Sequence, residues 1–130
     1  MIYQDVTDKI IKAFYNVYNT LGYGFLEKVY ENALIYELEK LGLNAIQQKP
    51  IKVYYDRILV GEYFVDIIVE NKVVIELKAV ETFQENHANQ LMNYLKATDI
   101  EVGLLLNFGQ EPRFIRKIFT NDKKKIRNNP

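Results

Sequence analysis

EYFVDIIVENKVVIELKA, residues 62–79, decides how the chain is read. Its alternate positions sort into two sets. Val65, Ile67, Val69, Val73, Ile75 and Leu77 form one, and all are apolar. Phe64, Asp66, Ile68, Val74, Glu76 and Lys78 form the other, which holds three charges: Asp66, Glu76 and Lys78. A period of two predicts two strands, and Glu70-Asn71-Lys72 predicts the turn between them. With the turn centred on Asn71, Val69 opposes Val73, and Asp66 opposes Glu76 on one face. A slip of one residue would split the six apolar side chains between faces, so the hydrophobic pattern selects this register.

Two facing carboxylates repel, because cross-strand Cβ atoms are only ~5 Å apart. A hard divalent cation offsets this; Mg²⁺ takes oxygen ligands, commonly one or two carboxylates with water. Lys78 lies two residues beyond Glu76 on the same face. There an ammonium can reduce the repulsion, orient a water or stabilise developing negative charge. The competing structural reading is a salt-bridge cluster on an open sheet. Phe64, Ile68 and Val74 share the charged face, which argues for a partly apolar setting instead.

Upstream, Val6, Ile10, Phe14, Val17 and Leu21 recur at helical spacing, and Gly22-Tyr23-Gly24 ends that helix. Leu26, Val29, Tyr30, Ala33, Leu34, Leu38 and Leu41 predict a second helix, stopped at Gly42. A strand is expected from Ile51 to Tyr55, a tight turn at Asp56-Arg57, and a long strand from Ile58 that bends at Gly61. Downstream, residues 84–98 read as a helix and VGLLLNF, residues 102–108, as a buried strand. Residues 112–119 read as a short closing helix with Pro112 in its first turn. The expected order is α-α-β-β-β-α-β-α, an antiparallel meander followed by a right-handed parallel crossover.

With 130 residues and 48% hydrophobic content, the chain fits one packed domain, expected over residues 1–120. It has no cysteine, which removes disulfides, thiolate metal sites and cysteine nucleophiles, and fits a cytoplasmic location. No stretch is apolar and long enough to span a membrane or resembles a signal peptide. The formal charge is zero, but residues 111–130 hold seven basic and two acidic side chains, and the first 110 residues balance that +5 with −5. Residues 121–130 are expected to form a basic flexible tail, either solvated or laid along phosphates.

The hairpin, with its acid on one strand and Glu76-Leu77-Lys78 on the next, resembles the PD-(D/E)XK nuclease superfamily. Gly24-Phe25-Leu26-Glu27-Lys28-Val29-Tyr30 matches the signature of its GxxExxY branch. Gln90-Leu91-Met92-Asn93-Tyr94 resembles the Q-x-x-x-Y helix motif of exonuclease-like members, and residues 102–109 resemble their last core strand. Val65 stands where the superfamily optionally has proline. The resemblance covers about residues 5–120, and four motifs in order make it specific.

It implies an α/β, restriction-endonuclease-like core with a mixed sheet flanked by helices. It also implies hydrolysis of DNA or RNA phosphodiesters with Mg²⁺ or Mn²⁺. Asp66 and Glu76 would then bind the metal with the carbonyl of Leu77, Lys78 would contact the attacking water or the phosphate, and Glu27 would add an acid. Gln90 and Tyr94 would line the site. His87, the only histidine, is expected to be structural, since hard cations prefer oxygen. A non-catalytic nucleic-acid-binding or protein-interaction module on the same fold is the alternative. A sheet edge or exposed helix face is the candidate contact for a homodimer.

Overall fold

A five-stranded sheet in the order β1-β2-β3-β4-β5 carries helices on both faces. The computed structural model describes residues 2–125. Its elements are α1 (Gln4–Leu21), α2 (Glu27–Lys40), β1 (Ala45–Tyr55), β2 (Ile58–Val69), β3 (Val73–Lys78), α3 (Asn89–Ala97), β4 (Val102–Phe108) and β5 (Pro112–Ile118). A 3₁₀ turn, Glu85–Ala88, leads into α3 and another, Asn121–Lys123, follows β5. β3 and β4 run parallel and the other neighbours antiparallel. This is the expected mixed, restriction-endonuclease-like sheet.

The stripes read from the sequence become the core. Ile10, Phe14 and Val17 of α1 and Tyr30, Leu34 and Leu38 of α2 pack on one sheet face, against Ile67, Val69, Val73, Ile75 and Leu77. Gly42, at φ +79°, closes α2, and the Leu43 amide donates back to the Leu38 carbonyl at 3.1 Å. That six-to-one bond satisfies a helix-end acceptor. The other sheet face packs Ile68, Val74 and Leu105 against Leu91 and Leu95 of α3.

Two expectations are corrected. Residues 112–118 form β5, an edge strand on β4, instead of a helix. Over seven residues, apolar positions 114, 115 and 118 fit either period. Tertiary context decides: fully buried β4 needs backbone partners on both sides, and an edge strand tolerates Pro112 at its start. Likewise β1 begins at Ala45 and runs through Pro50, which its edge position allows. Both predicted turns form, with φ of +51° and +69° at Asp56 and Arg57 and +55° and +54° at Glu70 and Asn71.

Residues 126–130, half of the expected flexible tail, lie outside the described residues. The segment before them is docked. Lys124 is buried and its ammonium donates to the carbonyls of Thr98 and Ile100, each at 2.7 Å. Arg116 reaches back to Thr7 Oγ1 and the Ile2 carbonyl, both at 2.7 Å. Lys117 pairs with Glu85, and Arg113 with Glu111. Four of the seven basic groups in the C-terminal stretch are thus committed within the chain.

Candidate active site

The β2–β3 ladder follows the predicted register through Val69↔Val73, Ile68↔Val74 and Ile67↔Ile75, then stops. At the next step the side chains take over from the ladder. The Leu77 amide donates to Asp66 Oδ2 at 2.8 Å, and the Asp66 amide points to Glu76 Oε1 at 3.3 Å. The strands part at the two acids, and each carboxylate holds the backbone of the opposite strand.

A distortion in β1 accompanies this parting. Gln47↔Ile67 and Lys49↔Val65 are paired, but Gln48 between them takes φ +52°. A non-glycine residue in left-handed backbone inside a strand costs on the order of 1 kcal/mol. The alternation of β2 breaks here too. Val65 packs with Ile68 on the α3 side, three residues away, instead of joining Ile67 on the other face. Five of the six apolar residues share a face as predicted, and Val65 does not. Phe64, expected beside the charges, is exposed.

The gain from the Gln48 turn is a polar bridge. Its amide nitrogen stands 3.1 Å from Glu31 Oε1 and 3.4 Å from Asp66 Oδ1. Glu31, on α2, is buried and also accepts from Gln47 at 2.7 Å and Lys28 at 3.0 Å. The sequence reading missed Glu31. Its signal was position: it lies four residues after Glu27, on the same helix face, and one turn deeper in the fold. Glu27 itself is exposed, and among the described residues no hydrogen bond or ion pair joins it to Asp66 or Glu76.

The electrostatics follow from crowding acids in a partly dry site. Burial pushes the Glu76 carboxyl up to about 8, the Asp66 charge adds to this, and Lys78 pulls it back. Burial raises Asp66 as well, against the Leu77 amide that holds its charged form, while Glu31 adds repulsion. The two side chains lie within hydrogen-bonding reach, so a proton kept on Glu76 is the metal-free way to relieve the pair.

Among the described residues, no three acid or histidine side chains cluster closely enough to hold a metal ion. The available donors are the Asp66 and Glu76 carboxylates and the Leu77 carbonyl. All are hard oxygens, and two carboxylates with the rest water suits Mg²⁺ or Mn²⁺. Their crowding, which a cation relieves, fits the same group.

The opposite wall comes from α3. Tyr94 accepts from Gln90 Nε2 at 3.1 Å and donates to the Phe64 carbonyl at 3.3 Å, two residues before Asp66. Burial raises its hydroxyl, and the Glu76 and Asp66 charges add to that. The Gln90–Tyr94 pair therefore stands beside the carboxylates. His87 does not: its Nδ1 accepts from the Gln84 amide at 2.9 Å and its ring stacks on Phe83, a helix-capping role.

Further contacts fix the frame. Lys78 pairs with Asn107 of β4. The buried Asn107 amide accepts from Val80 N at 3.0 Å and donates to Val80 O at 2.9 Å, so β3 is held past its last strand residue. Gly109 leaves room for that approach, since a Cβ there would fall 2.3 Å from the Val80 carbonyl. Tyr30 stacks on Phe108 with centroids 4.4 Å apart, and its hydroxyl donates to the Gly22 carbonyl at 2.7 Å. It also accepts from the Phe25 amide at 3.2 Å. Gly24, at φ +112°, shapes the same loop. Two members of the G-x-x-E-x-x-Y motif thus build the turn that presents α2.

A model of the PD-(D/E)XK nuclease superfamily matches residues 4–118. No curated protein matches. Among solved structures, the crystal structure of SSO0001 superposes with a TM-score of 0.56 at 19% identity over 93% of this chain. The chain spans 59% of that protein's length, and at this identity the likeness speaks for the fold. No helix among the described residues is long and apolar enough to cross a membrane.

Proposed function

The chain belongs to the PD-(D/E)XK nuclease superfamily, and on that premise we propose that it hydrolyses phosphodiester bonds of DNA or RNA with Mg²⁺ or Mn²⁺. The observation that carries this reading is the meeting of Asp66 and Glu76 where the β2–β3 ladder opens, with the Lys78 charge acting on Glu76. Its GxxExxY membership rests on Gly24, Glu27 and Tyr30.

Asp66, Glu76 and the Leu77 carbonyl would hold the cation, which when bound lowers the pKa of a water and neutralises phosphate charge. Lys78 offers its ammonium to the nucleophile or to charge developing on the phosphate. The Leu77 amide fixes Asp66 Oδ2, and the other oxygen, beside the Gln48 amide, would be left for the cation. Tyr94, held by Gln90, sets the opposite wall and can donate to a substrate oxygen. Glu27, on the helix face that carries Glu31, would add an acid from α2.

The test is cleavage of single- and double-stranded DNA and RNA with either metal, beside Asp66→Ala and Lys78→Ala. A loss of at least about 10²-fold in both variants is expected. Equal behaviour of wild type and variants over the whole panel rejects the reading. The second reading, a non-catalytic interaction module, draws support from the exposed apolar side chains on β2.

A further inference from the structure

Asp66 is the one residue of β2 from Gly61 to Val69 that has no ladder partner on β1. Gln48 stands across from it, between the pairs Gln47↔Ile67 and Lys49↔Val65. Both strands change faces at this level. Gln47 reaches Glu31 and Asn32 of α2, yet Ile51, which has the same parity, packs on the α3 side. Ile67 likewise packs on the α2 side and Val65 on the α3 side. Gln48 absorbs the change on β1 with φ +52°. Among the described residues, the other non-glycine positive φ angles fall at Tyr3, before α1, and at the two hairpin turns. A left-handed residue inside a strand persists only where its surroundings hold it there.

Two carboxylates hold it. Lys28 and Gln47 donate to Glu31 Oε2, at 3.0 and 2.7 Å, and Gln48 Nε2 donates to Oε1 at 3.1 Å. The same nitrogen stands 3.4 Å from Asp66 Oδ1. A side-chain amide has two hydrogens to donate, one for each acid. Turned over, it would aim its oxygen at both carboxylates, so charge sets which way it points. Gln48 is exposed, and its order therefore comes from these acceptors. Glu31 is the firmer of the two, with the shorter bond and a buried side chain.

Asp66 is thereby held from both neighbouring strands. The β3 backbone donates to Oδ2 through Leu77 at 2.8 Å, and the β1 side chain donates to Oδ1. Two donors fix the plane of a carboxylate and leave lone pairs on both oxygens for a further partner. Partners of this kind, one step behind a ligand, orient it and raise metal affinity.

We propose that Gln48 is the positioning residue of the candidate metal site, resting on the metal-dependent reading of Asp66 and Glu76. Anchored on Glu31, its amide fixes the Asp66 carboxylate in the orientation that receives the cation. Gln48→Gly removes the amide at a backbone angle that glycine adopts freely. Gln47→Ala removes the neighbouring amide, which donates to Glu31 and Asn32. In the metal-free full chain, hydrogen exchange at the Leu77 amide, followed by NMR, should quicken about tenfold in Gln48→Gly, as its acceptor loses the second hold. Gln47→Ala should leave it unchanged. Mn²⁺, titrated by calorimetry, should bind Gln48→Gly about 10–100-fold more weakly than wild type, and Gln47→Ala with wild-type affinity. Where Gln48→Gly fails to fold, Gln48→Asn should show the same losses, because asparagine also enters left-handed backbone and its shorter side chain cannot span both acids. Unchanged Leu77 exchange or unchanged Mn²⁺ affinity in the folded variant, tighter Mn²⁺ binding, or equal losses in Gln47→Ala overturn the proposal. Asp66→Ala separates the two levels. If it loses Mn²⁺ while Gln48→Gly keeps it, Gln48 alone is misassigned; if it binds Mn²⁺ as wild type does, the metal site is misassigned and the role of Gln48 falls with it.

Discussion

The amide of Leu77 donates to Asp66 Oδ2 at 2.8 Å, so the acid on β2 is held by the strand that carries Glu76 and Lys78. Strand pairing has been exchanged for a side-chain bond at the one step where two acids must face a common space. Asp66→Asn keeps an acceptor for the Leu77 amide and removes the charge. The expected result is a folded protein in which Glu76, still raised by burial, titrates lower than in wild type, followed by carboxyl NMR. A Glu76 titration that does not move would show that burial alone raises it.

Glu76 also sets a pH dependence of stability without metal. Its carboxyl goes from 4.5 to about 8 on folding, so below 4.5 both states hold the proton and no penalty exists. As pH rises toward 8 the unfolded chain releases its proton and the folded chain keeps it, so stability is lost across that window and then levels off. Burial shifts Asp66 in the same direction. In EDTA, Tm should fall by roughly 5 °C or more between pH 5 and 8. Glu76→Gln should flatten most of that fall, and Mg²⁺ should reverse it in wild type only. Thermal melts across pH check this.

Glu31 is a buried acid satisfied by Lys28, Gln47 and Gln48. Glu31→Ala removes an acceptor from the Lys28 ammonium and from both amides, leaving Gln47 only Asn32 and Gln48 only Asp66, and a loss of about 1–3 kcal/mol in urea unfolding is expected. Mn²⁺ affinity, measured by calorimetry, should weaken as Gln48 loses its hold beside Asp66. Unchanged affinity in the folded variant would limit Glu31 to stability.

Tyr30 separates two contributions at one position. Tyr30→Phe keeps the stack on Phe108 and loses the hydroxyl bonds to Gly22 and Phe25, for a cost of about 1–2 kcal/mol. Tyr30→Ala removes the stack too and should cost about 3–5 kcal/mol. Similar costs for both, by chemical denaturation, would mean that the hydroxyl carries the contribution.

Much of this was legible in the sequence because parity is a strong constraint. Five of the six alternating apolar residues share a face and carry the hairpin register from Val69↔Val73 to Ile67↔Ile75, which leads Asp66 and Glu76 toward each other. The Gln90–Tyr94 spacing placed both on one face of α3. Less legible was whatever depended on contacts distant in sequence. β5 is a strand because β4 needs a second partner, which residues 112–118 do not reveal alone. Glu31 resembles any acid on a charged helix until Gln47 and Gln48 arrive from β1. The break in alternation at Val65 depends on the left-handed turn of Gln48, and no pattern in β2 announces it.

The Asn107 amide, gripping both polar groups of Val80, acts as mechanical insulation. Of the connection from Glu81 to Gln84, only Phe83 is half-buried, packed on the α3-side core, while the clamp holds Val80 two residues beyond Lys78. Glu81 and Thr82, exposed between the clamp and the Phe83–Gln84 cap, are thus the positions where substitution leaves the spacing of the reacting groups unchanged.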